Sequence, residues 1–177
     1  LRHPNIVPIY DIGEDKGQLY YAMPLIDGET LVDYLKTNAG SDQHPDGIKE
    51  LIRVLETVAD AVHYAHQHGV LHRDLKPANI LIDVEREPQL LDFGLAKVIH
   101  ADTAAGLTGT NDMMGSPSYM SPEQVTGGAG KVTVATDVYG LGAILYEMLS
   151  GQPPFIADTS LAIARKVTDE SSVFGSK

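Results

Sequence analysis

Leu51, Val54, Leu55, Val58, Ala61, Val62 and Ala65 recur at the spacing of one face of an α-helix. A helix over Ile48 to His68 with so continuous an apolar stripe must bury that face, and the rest of the chain has to pack against it. Gly69 ends it, since glycine takes the left-handed backbone that closes a helix at little cost. Beyond Val70 the pattern changes. Ile80 to Ile82 and Gln89 to Leu91 are short apolar runs between polar residues and read as two small strands. The chain so far thus mixes a long amphipathic helix with short strands.

The remaining segments fit that mixture. Ile6 to Ile12 and Gln18 to Met23 are β-branched and aromatic, and Gly13 to Gly17 between them predicts a two-stranded hairpin. Leu31 to Lys36 reads as a short helix opened by Thr30, and Ser41 to Gly47 as a polar loop. Residues 100 to 115 are polar, rich in Gly and Thr, and without period, as a loop is. Thr136 to Leu149 is apolar almost all round and is expected to be a core helix, stopped by Gly151-Gln152-Pro153-Pro154-Phe155. Leu161 to Val167 predicts one more helix, and Ser171 to Lys177 carries no packing signal.

Composition removes several function classes. Against 13 Lys and Arg stand 24 Asp and Glu, a net charge of −11, which argues against a general binder of nucleic acid or anionic membrane. No Cys is present, so disulfides and thiolate metal sites are excluded, and a cytoplasmic location is expected. The most apolar stretch, Val138 to Leu149, is too short to span a bilayer and contains Glu147. The first residues hold no apolar signal segment and no start Met, so the chain is expected to begin mid-protein.

Three short runs carry the chemistry. His72-Arg73-Asp74-Leu75-Lys76-Pro77-Ala78-Asn79 comes first, Asp92-Phe93-Gly94 follows, and Ser121-Pro122-Glu123 comes last. In that order they resemble the signature set of eukaryotic-type, bacterial-looking serine/threonine protein kinases, with Ser where the last triplet more often has Ala. The resemblance implies an α+β, two-lobed fold, represented here by the last N-lobe strands and most of a helical C-lobe, with ATP and Mg²⁺ as cofactors and protein Ser or Thr hydroxyls as acceptors. Phosphoryl transfer asks a protein mainly for positioning and charge neutralisation. Asp74 then corresponds to the base that accepts or orients the hydroxyl, and Lys76 to a positive charge near the moving phosphate. Asn79 and Asp92 offer oxygen ligands to a hard cation, and a hairpin of the two small strands would bring them together.

The same resemblance assigns further residues. Met23 corresponds to the gatekeeper, the Pro24 carbonyl and Ile26 N–H to the groups that meet the adenine edge, and Leu81 to the residue beneath the ring. His72 and Phe93 are implied to be stacked packing residues, with Ile9 in the same stack. Arg73 implies control by a phosphorylated loop, for which Thr103, Thr108 and Thr110 are candidates for autophosphorylation. Ser116 would bond Asp74 and Lys76, and Asp137 would be a buried anchor for the catalytic-loop backbone.

Residues 1–26 then correspond to a remnant of the N-lobe and hinge, and 27–177 to a C-lobe incomplete at its end. No Gly-rich phosphate loop and no strand Lys with its helix Glu occur in the sequence, so the 177-residue chain alone is expected to lack useful phosphotransfer. Two rivals stay open. A pseudokinase would keep the fold as a binding module, against which Asp74, Asn79 and Asp92 speak. A small-molecule phosphotransferase of the aminoglycoside-kinase type shares the catalytic Asp and Asn but lacks the Ser-Pro-Glu segment.

Overall fold

The computed structural model describes residues 1–37, 45–93, 117–127 and 132–174. Strand β1 (Asp11–Asp15) pairs antiparallel with β2 (Gln18–Ala22), joined by Lys16 and Gly17 at φ 52° and 81°. Positive φ at both turn residues is the two-residue hairpin geometry that matches strand twist. The hairpin is therefore tighter than the five-residue connection expected, and Gly13 to Asp15 belong to the strand. Ile6 lies outside it. It bridges to Leu90, while the Asn5 carbonyl accepts from Leu90 N–H and Val7 N–H donates back to Leu90.

A second sheet was only partly legible. The two expected small strands are β4 (Ile80–Asp83) and β5 (Pro88–Leu90), and β3 (Gly28–Thr30) joins them in the order β3-β4-β5, all antiparallel. Three residues with one Gly and no apolar run gave no strand signal. Gly28 fits because a Cβ there would lie 2.3 Å from the Ile82 carbonyl oxygen.

Helix α1 (Leu31–Thr37) follows β3, and α2 (Pro45–Gln67) is the long amphipathic helix. It starts three residues before the expected point, within the stretch read as loop, because Pro is well placed in a first helical turn. Its end is as the sequence implies. Gly69 N–H donates to the His66 carbonyl and Val70 N–H to that of Ala65, with Gly69 at φ 72°. Leu51, Val54, Val58, Ala61, Val62 and Ala65 are all buried. They pack with Leu31, Ile80, Ile82, Leu90, Ile144 and Met148 into one core.

Helix α3 (Pro122–Val125) is short. Helix α4 (Val134–Ser150) opens two residues earlier than expected, at the N-cap Thr133, whose hydroxyl accepts from Ala135 N–H. Its buried side runs Thr136, Asp137, Gly140, Ala143, Ile144 and Met148, while Val134, Val138 and Leu149 on the other side are more than half exposed. Gly140 faces Leu75, and a Cβ there would sit 2.9 Å from the Leu75 Cβ, so this close approach needs glycine. Helix α5 (Ser160–Phe174) extends beyond the expected Val167 into the tail that carries no packing signal. Among the described residues no helix is long and apolar enough to cross a membrane.

Candidate active site

The site forms where the end of α2, the β4–β5 hairpin and α4 converge. Asp137, 1% exposed, stands in the first turn and a half of α4. Its Oδ2 accepts from His72 N–H at 2.9 Å and its Oδ1 from Arg73 N–H at 2.8 Å. His66 Nε2, in the last turn of α2, lies 2.7 Å from the same Oδ2. One buried carboxylate thus ties α2, the loop that begins at His72 and α4 together. Ionic acceptors make such bonds about twice as strong as neutral ones.

His72 is fully buried and relays this order. Its Nδ1 accepts from Asp74 N–H at 3.3 Å, so its Nε2–H donates to the Leu91 carbonyl at 2.8 Å. Its ring packs edge-on against Phe93 with centroids 4.7 Å apart. Ile9 is only half-buried and stays outside the buried core. Burial pushes the His72 imidazole below its ordinary range, against the opposing pull of Asp137, the Leu91 carbonyl, Asp74 and Asp92. The unfolded chain therefore takes up a proton near pH ~6.5 that the folded chain refuses. Stability contributed here is present above that pH and falls as the pH drops through it. Urea midpoints should decline from pH 7.5 to 5.5, and His72→Gln, which keeps a donor and an acceptor without titrating, should flatten the slope. An unchanged slope in that variant would assign the effect to another group.

After Leu75 the chain makes a 3₁₀ turn over Pro77–Asn79 and enters β4. Asn79 Nδ2 donates to the Asp74 carbonyl at 2.7 Å and to Asp74 Oδ2 at 3.1 Å. Lys76 Nζ donates to the same Oδ2 at 2.6 Å. The Asp74 side chain is 40% exposed, and among the described residues its Oδ1 accepts no hydrogen bond. Leu91 N–H donates to the Asn79 carbonyl, so Asp92 leaves the hairpin at the end where Asn79 enters it. Asp92 has φ 60° and Arg73 φ 70°, left-handed conformations that cost about 1–3 kcal/mol each unless their surroundings impose them.

The Asn79 nitrogen is committed to Asp74, which leaves its Oδ1 and the Asp92 carboxylate as the oxygen donors that could face a cation. Among the described residues no group of three or more His, Cys, Asp or Glu is placed so that it could hold a metal ion. That donor set suits a small hard cation that takes its other ligands from phosphate and water. The Tyr21 phenol on β2 is pushed above its ordinary range by partial burial and then by the charge and hydrogen bonding of Asp92, which sets β2 against this end of the site.

Residues 23–27 connect β2 to β3. Met23 is exposed, Pro24 and Ile26 are half-buried, and Leu81 is half-buried between the buried Ile80 and Ile82. Among the described residues neither the Pro24 carbonyl nor the Ile26 N–H takes part in a backbone hydrogen bond.

Ser121 caps α3 and Glu123 accepts from the Thr136 hydroxyl at 2.6 Å. Burial alone would raise the Glu123 carboxyl, but the bonds from Thr136, its own backbone and Ser121 outweigh it and hold it below the ordinary range. Tyr119 donates to Glu147 Oε2 at 2.6 Å, and burial with that neighbour pushes its phenol far above the usual range. Gly94, Thr103, Thr108, Thr110 and Ser116 lie outside the described residues. Sequence reasoning missed His66 and Gln124. The first carried no distinguishing signal among seven His residues. The second was readable, since Ser121 to Gln124 has the capping-box spacing.

A carboxylate held by a lysine and an asparagine, near the end of a hairpin flanked by Asn79 and Asp92, on a helical domain with small sheets, is the arrangement that the three sequence runs imply. The chain belongs to the protein kinase family, whose catalytic-domain profile matches residues 1–175. It is 43% identical over 171 residues to the probable serine/threonine-protein kinase PknB of Lactococcus lactis, covering 97% of this chain and 26% of that protein. Similarity is 41% over 166 residues to the serine/threonine-protein kinase PrkC of Bacillus subtilis, covering 94% and 24%. It is 39% over 177 residues to the serine/threonine-protein kinase PknB of Mycobacterium tuberculosis, covering 98% and 27%. The chain thus spans about a quarter of the length of these relatives.

Proposed function

We propose that the full-length protein transfers the γ-phosphoryl group of ATP to Ser or Thr hydroxyls of protein substrates, with Asp74 as the base. The observation that carries this reading is the asymmetry of the Asp74 carboxylate: Oδ2 is held by Lys76 and Asn79, while among the described residues Oδ1 accepts no hydrogen bond. An acceptor hydroxyl at Oδ1 gives its proton to Asp74 as its oxygen bonds the γ-phosphorus. The bond from that phosphorus to the bridging oxygen breaks, and ADP leaves. Lys76 neutralises charge on the moving group. Asn79 Oδ1 and the Asp92 carboxylate are the residues that would hold Mg²⁺, which when bound supplies charge neutralisation on the phosphates.

On this reading Met23, Pro24, Ile26 and Leu81 form the adenine pocket, supported by the backbone groups of Pro24 and Ile26 that are uncommitted among the described residues. Residues 1–26 act as the N-lobe and hinge side of the cleft and 27–177 as the C-lobe side. Arg73, for which no carboxylate lies within ion-pair distance among the described residues, is the candidate reader of phosphate on Thr103, Thr108 or Thr110. The test is transfer of labelled phosphate from ATP to a generic protein substrate. Label is expected on Ser and Thr only, and its loss with chelator and return with Mg²⁺. Label on an aminoglycoside but not on protein would favour a small-molecule phosphotransferase instead.

A further inference from the structure

The side chain of Gln124 bridges two parts of the molecule that are 51 residues apart. Its Oε1 accepts from Ser121 N–H at 3.0 Å and Ser121 Oγ at 3.2 Å. Its Nε2 donates to the backbone carbonyl of Arg73. The amide orientation is fixed by its partners, because Ser121 N–H can only donate and the Arg73 carbonyl can only accept. The Arg73 carbonyl belongs to the same peptide unit as Asp74 N–H, which is held at its other end by His72 Nδ1. Arg73 is in the left-handed conformation, so this unit needs external bonds to keep its orientation.

We propose that Gln124 is a positioning residue for the proposed base: its amide clamps the Arg73–Asp74 peptide unit and couples the order of the Ser121–Val125 turn to the direction of the Asp74 carboxylate. The proposal rests on the reading of Asp74 given above. Asp137 holds the N–H side of Arg73 and His72 holds the N–H of Asp74, but only Gln124 among the described residues holds the carbonyl between them. If that bond goes, the peptide plane is free to rotate, and the carboxylate on the next Cα moves with it. Displacements of about 1 Å in a reacting group can cost 10²-fold in rate. The contact also gives α3 a direct route to the site. A change at Ser121 that shifts the cap shifts the amide that holds Arg73.

Two near-isosteric variants of the full-length protein test it. Gln124→Met removes the donor and acceptor. Gln124→Glu keeps the acceptor shape but sets a carboxylate against the Arg73 carbonyl until it is protonated. At pH 8 both should lower kcat by about 10- to 100-fold while KM for ATP changes by less than about twofold, because nucleotide contacts lie elsewhere. Between pH 8 and pH 5.5 the rate of Gln124→Glu relative to wild type should recover by about fivefold or more, since a protonated Glu donates again. Gln124→Met should show no such recovery. The titratable groups lining the same small cavity are Arg73, Asp74, Tyr119 and Asp137, all present in the wild-type reference. Wild-type kcat in Gln124→Met, a pH-independent deficit in Gln124→Glu, or a loss seen in KM instead of kcat would each overturn the proposal. So would loss of nucleotide binding in both variants, which would make the role one of fold stability. Asp74→Asn measured alongside separates the two readings. Wild-type turnover there refutes the base and the clamp together, whereas lost turnover there with a wild-type Gln124→Met refutes only the clamp.

Discussion

Asp74→Asn in the full-length protein is expected to lower turnover by about 10²–10⁴-fold, the usual worth of a positioned acid or base. Nucleotide affinity should change by less than about threefold. The split follows from the geometry. Asp74 contacts Lys76 and Asn79, not the Met23–Ile26 segment proposed to meet adenine. Asn retains the size of the side chain and one oxygen acceptor, so Lys76 and Asn79 keep a partner and the loop keeps its shape. What disappears is the basic oxygen that accepts no hydrogen bond among the described residues. Single-turnover rates with parallel nucleotide titrations measure both quantities. A wild-type rate would remove Asp74 from the role, and a matched loss of affinity would make it a nucleotide residue.

Asp137→Ala is expected to have the largest effect on folding. It removes one acidic acceptor from three donors at once: His72 N–H, Arg73 N–H and His66 Nε2. The two backbone groups are buried or half-buried, and among the described residues Asp137 is the acceptor of each. A hydrogen bond to a charged acceptor contributes about 1.5–3 kcal/mol, and orphaning its buried partner costs a similar amount. A loss of about 3–5 kcal/mol follows, which for many domains is a large part of the total stability. Activity should fall further than stability alone explains, because Arg73 loses a bond that imposes its left-handed backbone. Chemical denaturation gives the first number. Turnover measured well below the unfolding transition gives the second. A midpoint within about 1 kcal/mol of wild type would show that the anchor is dispensable.

The long helix was legible because its periodicity runs unbroken from Leu51 to Ala65, and every apolar residue counted on its stripe is buried or packed against the core. The paired strands β4 and β5 were legible because apolar runs between turn residues have few alternatives. Strand β3 was not, since Gly28, Glu29 and Thr30 have no local preference for a sheet, and their strand state comes from pairing with Asp83 to Leu81. The end of α5 was missed for the same reason in reverse, since Asp169 to Phe174 carry a weak helical pattern that only continuation of the helix reveals.

Residue types in order along the chain decided by themselves that this is a kinase-family sequence, because phosphoryl transfer needs an acid–base carboxylate, a lysine and hard oxygen ligands at spacings that a loop and one hairpin can bring together. Tertiary structure alone decided how those residues are held. The sequence names Asp74 but does not say that Lys76 and Asn79 both hold the same one of its two oxygens. It marks Asp137 as an anchor but does not show that His66 shares it from 71 residues away. It spells Ser-Pro-Glu-Gln but does not reveal that the Gln reaches back to the peptide before the base. The reason is physical. Side-chain chemistry is local and readable from residue type, whereas a hydrogen bond between distant segments exists only once the core of α2, α4 and the β3–β5 sheet has packed and set its direction.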